Sequence, residues 1–211
     1  MPNLKEIRNR ISSVTSTMKI TSAIKMVSAA KLKKAQDAIT AMKPYSEKLN
    51  ELMSSFTNVI SSSNISYLAA QRPIKKVLIV AIASNRGFCG AFNSNIVKQS
   101  KSLKSLEKFS NAEFYFIVIG KKANDVLSKT ENIVQNKSEI FDELSYENSS
   151  PIIDQIIQDF ADEKYDHVEI IYNSFKNAAN QIIKSEQLLP IVNDLESCLL
   201  YTSPSPRDTR E

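Results

Sequence analysis

Residues 4–36 read LKEIRNRISSVTSTMKITSAIKMVSAAKLKKAQ, and this stretch decides the architecture. Leu4, Ile7, Ile11, Val14 and Met18 follow one another at alternating intervals of three and four residues. That spacing lays them along one side of an α-helix, as in a heptad seam. The pattern resumes at Leu32, Ala35, Ile39 and Met42 and runs on through Leu49, Leu52, Phe56 and Val59. Pro44 removes a backbone donor and crowds the carbonyl of Thr40, which predicts a kink or a helix boundary there. Periodicity on both sides favours the kink. A helix of roughly 55 residues is about 80 Å long, longer than a domain of ~150 residues is wide. Most of it must project, or pack on something other than its own domain. Its middle, Lys19–Lys31, is rich in small residues (Thr21, Ser22, Ala23, Ser28, Ala29, Ala30). These let another backbone come close, or simply make a thin stretch in a bundle.

Beyond this helix the periodicity changes. Residues 61–73 (SSSNISYLAAQRP) read as a polar linker ending in proline. Val77–Ala83 (VLIVAIA) is an unbroken apolar run, the mark of a buried parallel strand. A turn over Ser84–Asn93 and a helix over Asn95–Phe109 follow. A second strand spans Glu113–Ile119, a short helix Lys121–Lys129, and a third strand Asn132–Gln135. The next helix is read as Pro151–Asp162, with proline in its first turn and Ile152, Ile153, Ile156, Ile157 and Phe160 facing inward. A strand at His167–Tyr172 and an edge strand at Gln181–Leu189 complete the pattern. Strands alternating with helices argue for an α/β class: a Rossmann-like layered domain carrying a long N-terminal coiled-coil helix. The expected organisation is a helix over 1–60, the linker 61–73, an α/β domain over 74–195 and a tail over 196–211. Pro204 and Pro206 keep that tail out of regular structure.

Charge divides the same way. The chain has 211 residues and a net charge of +4. Residues 1–48 alone carry +7, which leaves the remainder at −3. A basic helix suits nucleic acid, an anionic membrane or an acidic protein surface. It has no interleaved aromatics, and no nucleic-acid-binding module follows it, which argues against nucleic acid. No apolar run is long enough to cross a membrane, and the charged N-terminus lacks the apolar core of a secretory signal. The cysteines, Cys89 and Cys198, are far apart and unpaired in pattern, so a reduced compartment is the default.

Candidate chemistry is sparse. Gly87 and Gly90 follow a strand and precede a helix, where phosphate can bind, yet neither GxGxxG nor a P-loop is present. The alternative is a tight turn that needs glycine for its backbone. Cys89 lies near a helix start, but the single histidine, His167, makes a Cys–His pair improbable, so a small buried thiol is expected. One histidine also excludes a multi-histidine metal site. The acids of Asp159–Asp166 read as a solvated face, and no catalytic constellation emerges. No cofactor is expected. The uncovered stripe leaves three possibilities open: two copies pair, a partner supplies a helix, or the chain is incomplete. A dimeric coiled-coil protein and a small α/β nucleotide-binding enzyme are the alternative functional readings.

The residues resemble a known family, the gamma subunit of F-type ATP synthase. The similarity begins with Leu4–Gln36, particularly Arg10-Ile11-x-Ser13-Val14, Lys19-Ile20-Thr21 and Met26-Val27-x-Ala29. Lys43-Pro44-Tyr45 fits the family's helix continuation. Ser84–Asn93 (SNRGFCGAFN) resembles its SDRGLCGxFN turn, with Asn85 replacing the usual acid and Phe88 the usual leucine. Tyr172-Asn173-x-Phe175 and Leu188-Leu189-Pro190 fit its later strands. The family's returning C-terminal helix is missing from this chain, and the residues from about Cys198 onward resemble no member, which implies a non-native tail.

The resemblance implies a non-catalytic rotor shaft without cofactor. Its partners would be the alpha and beta subunits of an alpha3beta3 ring, an epsilon subunit and the membrane ring of c subunits. It would be peripheral on the cytoplasmic face of a bacterial inner membrane, without insertion. Arg8, Lys19, Ile24, Lys25, Met26, Lys31 and Lys33 would face the alpha/beta sleeve, and Gly87, Cys89 and Gly90 would form the structural turn.

Overall fold

A computed structural model describes residues 3–59, 66–177 and 180–191. The chain divides into two compact units, Met1–Phe56 and Thr57–Glu211. The expected tail 196–211, with Cys198, lies outside the described residues, as do the side chains of Phe56 and Val59.

The first unit is formed by a single helix, α1, whose full span is Leu4–Val59 and whose last three residues fall in the second unit. Asn3 starts it: its Oδ1 accepts from the Lys5 N–H at 3.3 Å and its carbonyl from Glu6 and Ile7. Glu6 in the first turn suits the positive helix end. The helix passes through Pro44 instead of ending there. Proline costs one backbone bond, and helical turns continue on either side of it. The hydroxyls of Thr15, Ser16, Thr17, Thr21 and Thr40 each donate to the carbonyl four residues earlier, so the small polar residues satisfy themselves within the helix.

The second unit is a five-stranded sheet in the order β3-β2-β1-β4-β5, with β1 Lys76–Ile82, β2 Glu113–Ile119, β3 Ile133–Asn136, β4 His167–Phe175 and β5 Gln181–Leu189. The first four strands are parallel and β5 runs antiparallel to β4 at the edge. β1 is central because every residue from Val77 to Ala81 is buried, which only a strand covered on both faces allows. Val77, Ile79 and Ala81 face one layer, formed by α3 (Phe92–Ser102) and α4 (Lys121–Leu127). Leu78 and Val80 face the other, formed by α5 (Tyr146–Ala161) through Ile152, Ile156 and Phe160. Between the short helix α2 (Ser66–Ala69) and β1, Arg72 lies over the Phe160 ring at 5.0 Å and donates to the Phe160 carbonyl at 3.3 Å.

Several expectations are corrected. The linker read over 61–73 contains the helical turn α2, and Leu68 packs on the sheet. α3 begins at Phe92 and stops at Ser102. Two 3-10 turns, Leu103–Ser105 and Glu107–Phe109, follow with Leu106 extended between them, so that Leu103 and Phe109 both reach the core. α5 begins five residues before Pro151, because the Ser145 Oγ accepts from the Asn148 N–H and caps it there. Ile153, expected to face inward, is 42% exposed, since it lies about 100° around the helix from Ile152 and so beside the buried stripe of Ile152, Ile156 and Phe160. Ser145→Ala is expected to cost about 1 kcal/mol, measured as a lower urea midpoint; an unchanged midpoint would show that Pro151 sets the helix start after all.

Candidate functional site

On α1 the apolar stripe is open to solvent: Leu4, Ile7, Ile11, Val14 and Met18 are between 43% and 71% exposed. At about 100° per residue, the seven side chains singled out on this helix fall on three faces. Arg8, Lys19, Met26 and Lys33, separated by eleven, seven and seven residues, share one flank. Ile24 and Lys31, each one residue before a stripe position, lie on the other flank, beside the exposed Ile20 and Val27. Lys25 lies on the stripe itself, seven residues from both Met18 and Leu32, and lines the same shallow groove as Val14 and Met18.

In the second unit, the turn after β1 is held by side-chain amides. Asn93 Oδ1 accepts from the Ser84 N–H at 2.9 Å, and its Nδ2 donates to the Arg86 carbonyl at 3.1 Å. Asn85 donates through Nδ2 to the Ser138 carbonyl and accepts at Oδ1 from the Lys121 N–H, both at 2.9 Å. One amide thereby joins the loops that follow β1, β2 and β3. A carboxylate at this position has no proton to donate and could satisfy only the second of these bonds.

Gly90 adopts a φ of 59° that suits glycine. Gly87 does not require glycine in this way; Phe88 takes the left-handed φ of 59° instead and is fully exposed. Cys89, read as a small buried thiol, is exposed, because the turn projects beyond the sheet end; its Sγ lies 3.2 Å from Asn93 Nδ2. A groove of about 770 Å³ opens beside this turn at the carboxyl ends of β1 and β4, with Ile82, Phe92, Ile170 and Leu188 among its walls. Within it Tyr172 donates to Glu186 and Asn173 to the Phe92 carbonyl.

The remaining titratable groups serve the fold. His167 and Glu169 are buried on β4, with Nε2 and Oε2 2.7 Å apart. Glu169 Oε1 accepts from Ser185 of β5 at 2.8 Å, and Lys108 lies 3.6 Å from Oε2. Burial pushes the Glu169 carboxyl up, but the hydrogen bonds from His167 and Ser185 and the charge of Lys108 outweigh it and hold the group below its ordinary value. Asp159, expected on a solvated face, is buried and pairs with Lys164 at 3.1 Å. That hydrogen bond chiefly holds the Lys164 ammonium above the usual lysine value. Asp166 accepts from the N–H groups of Lys75 and Lys76 at 3.0 and 2.9 Å and ties the start of β1 to that of β4. Sequence reading missed these clusters, whose members are up to about ninety residues apart. Among the described residues, no group of three or more His, Cys, Asp or Glu could hold a metal ion, and no helix is long and apolar enough to cross a membrane.

The sequence profile of the ATP synthase family matches residues 3–209. The ATP synthase gamma chain of Flavobacterium johnsoniae is 54% identical over 191 residues, which cover 90% of this chain and 66% of that one. The gamma chain of Flavobacterium psychrophilum is 53% identical with the same coverage, so the chain spans slightly less than two thirds of the length of these relatives. The gamma chain of Cytophaga hutchinsonii is 42% identical over 208 residues, covering 96% of this chain and 70% of its own. Among solved structures, the central stalk and c-ring of the Tetrahymena thermophila mitochondrial ATP synthase contains a chain that matches with a TM-score of 0.51 and 28% identity, covering 81% of this chain and 72% of that one. A chain of the Euglena gracilis mitochondrial ATP synthase, with a TM-score of 0.53 and 20% identity over 86% of this chain and 55% of its own, shares the fold. The match along nearly the whole sequence and the identity to these relatives show that the chain belongs to the ATP synthase gamma chain family.

Proposed function

We propose that this chain is a central-stalk subunit of a rotary, proton-translocating ATP synthase. It transmits torque from a membrane ring of c subunits to the catalytic beta subunits and has no catalytic site of its own. The observation that carries this reading is α1: a helix of 56 residues with an exposed apolar heptad stripe and no acidic residue from Ile7 to Gln36. Such a rod needs a covering helix along its stripe and an acidic surrounding on its other faces. The gamma chains it resembles, and a solved central stalk, support the same assignment.

In this reading residues 1–60 are the shaft and residues 74–195 the domain that meets an epsilon subunit and the rotor ring. The assembly sits peripherally on the cytoplasmic face of a bacterial inner membrane. Torque transfer is a matter of differential binding: the shaft must favour different beta conformations at different angles. Arg8, Lys19, Met26 and Lys33 on one flank, and Ile24 and Lys31 on the other, are the side chains that address the alpha3beta3 ring.

The test is co-assembly with alpha and beta subunits. Reversing both Lys31 and Lys33 to Glu is expected to lower recovery of the complex about tenfold at physiological salt, with a smaller loss at 1 M salt, where the Debye length is about 3 Å. Equal recovery of native and reversed chains at both salt concentrations would remove these lysines from the interface. Failure of the native chain to assemble at all would count against the shaft reading itself.

A further inference from the structure

Lys25 stands apart from the other cations of α1. Met18, Lys25, Leu32 and Ile39 recur at intervals of seven, so Lys25 occupies one position of the apolar heptad. Its side chain lines the same groove as Val14, Met18 and Thr21, which places it on the stripe in space as well as in spacing. The helix offers it no counter-ion. There is no acid between Glu6 and Asp37, and among the described residues Lys43 pairs with Glu47 and Lys48 with Glu51, far from Lys25 in the sequence. Once the stripe is covered, the ammonium is taken out of water, and a charge so enclosed has to be met by an opposite one. A second copy lying parallel and in register would set Lys25 against Lys25, so it cannot be the occupant that the stripe favours.

We infer that Lys25 lies in the seam of a coiled coil and selects an amphipathic helix that carries a carboxylate at the facing core position. A single lysine in a core position costs stability but sets register and partner choice. Lys25 is thereby a specificity residue of the helix pair and not one of the cations presented to the surrounding ring. The inference rests on the reading of α1 as one strand of a two-helix shaft.

The experiment titrates the full chain with two synthetic helical peptides of about 35 residues, five heptads each. The two are identical except for Glu or Lys at the core position placed opposite Lys25, and each is made for parallel and for antiparallel pairing. Calorimetry is expected to show the Glu peptide binding about tenfold more tightly than the Lys peptide in one orientation. Lys25→Glu is expected to reverse that preference, and Lys25→Leu to abolish it while both peptides still bind. Equal binding of the two peptides to the native chain, or a preference that survives in Lys25→Leu, would overturn the inference. Binding of neither peptide would overturn it together with the idea of a coiled-coil seam. Failure to assemble with alpha and beta subunits, with the peptide preference intact, would instead count against the shaft function alone.

Discussion

Gly120→Ala is expected to destabilise the α/β unit by about 3–4 kcal/mol, among the largest effects of a single methyl group in this chain. Gly120 closes β2 with a φ of 128°, a conformation that L side chains rarely adopt. A Cβ there would stand 2.5 Å from the carbonyl oxygen of Ala83 and 2.6 Å from its carbon. Both are backbone atoms, so no rotamer change relieves the clash. Ala83 is itself fixed, since its N–H donates to the Ile119 carbonyl at 2.8 Å. The substitution must therefore separate the carboxyl ends of β1 and β2, where Asn85 and Ser138 bridge the loops. Gly90→Ala is the matched control. Its φ of 59° also disfavours alanine, but nothing lies within 4 Å of the added methyl, so a cost of about 1–2 kcal/mol is expected. Urea unfolding followed by near-ultraviolet circular dichroism separates the two. Equal midpoints for both variants would show that the contact with Ala83 yields easily.

Glu169→Ala is expected to cost about 3–5 kcal/mol at pH 7. The carboxylate is the shared acceptor for His167 and Ser185 and the counter-charge of Lys108. Removing it leaves the buried His167 on β4 and the half-buried Ser185 on β5 without their shared partner, which costs more than the net worth of the bonds themselves. Because β5 is the edge strand, it should detach first, seen as faster hydrogen exchange at Ser185 and its neighbours. Glu169→Gln isolates the charge. The folded carboxyl titrates below its unfolded counterpart, so its stabilisation is complete above the ordinary carboxylate value of about 4.3 and disappears as pH falls through the lower folded value. The stability gap between the native chain and Glu169→Gln should be flat above about pH 5 and shrink in acid. A gap that stays constant down to pH 2 would mean that the charge contributes nothing.

These residues also show where sequence reading stops. His167 and Glu169 are two apart on a strand, which places them on one face, but nothing in that spacing brings Ser185 or Lys108 to them. Asp159 sits in a run of acids that looks solvated; it is buried because α5 lies flat on the sheet and Lys164 folds back to pair with it. Cys89 was misread for the opposite reason. A small thiol after a strand suits a core, but its turn extends past the sheet end into solvent. The start of α5 was misplaced because proline is a strong local signal, whereas the competing Ser145 cap depends on the chain's path out of the preceding 3-10 turn, Ser138–Phe141.

What the sequence determined by itself is whatever repeats along it. The heptad of α1, the apolar run of β1, the alternation of strands and helices and the basic charge of the first 48 residues are properties of neighbouring residues, and neighbours impose their periodicity directly on the backbone. The family resemblance rests on the same contiguous stretches. Tertiary structure alone decided the strand order, the necessity of Gly120, the Asn85 bridge and the burial of Glu169. Each depends on groups that only the folded chain brings together, across separations from sixteen residues for Glu169 and Ser185 to ninety for Val77 and His167, which face each other on β1 and β4. The free energy of such contacts comes from desolvation and close approach, and neither exists until the sheet has formed.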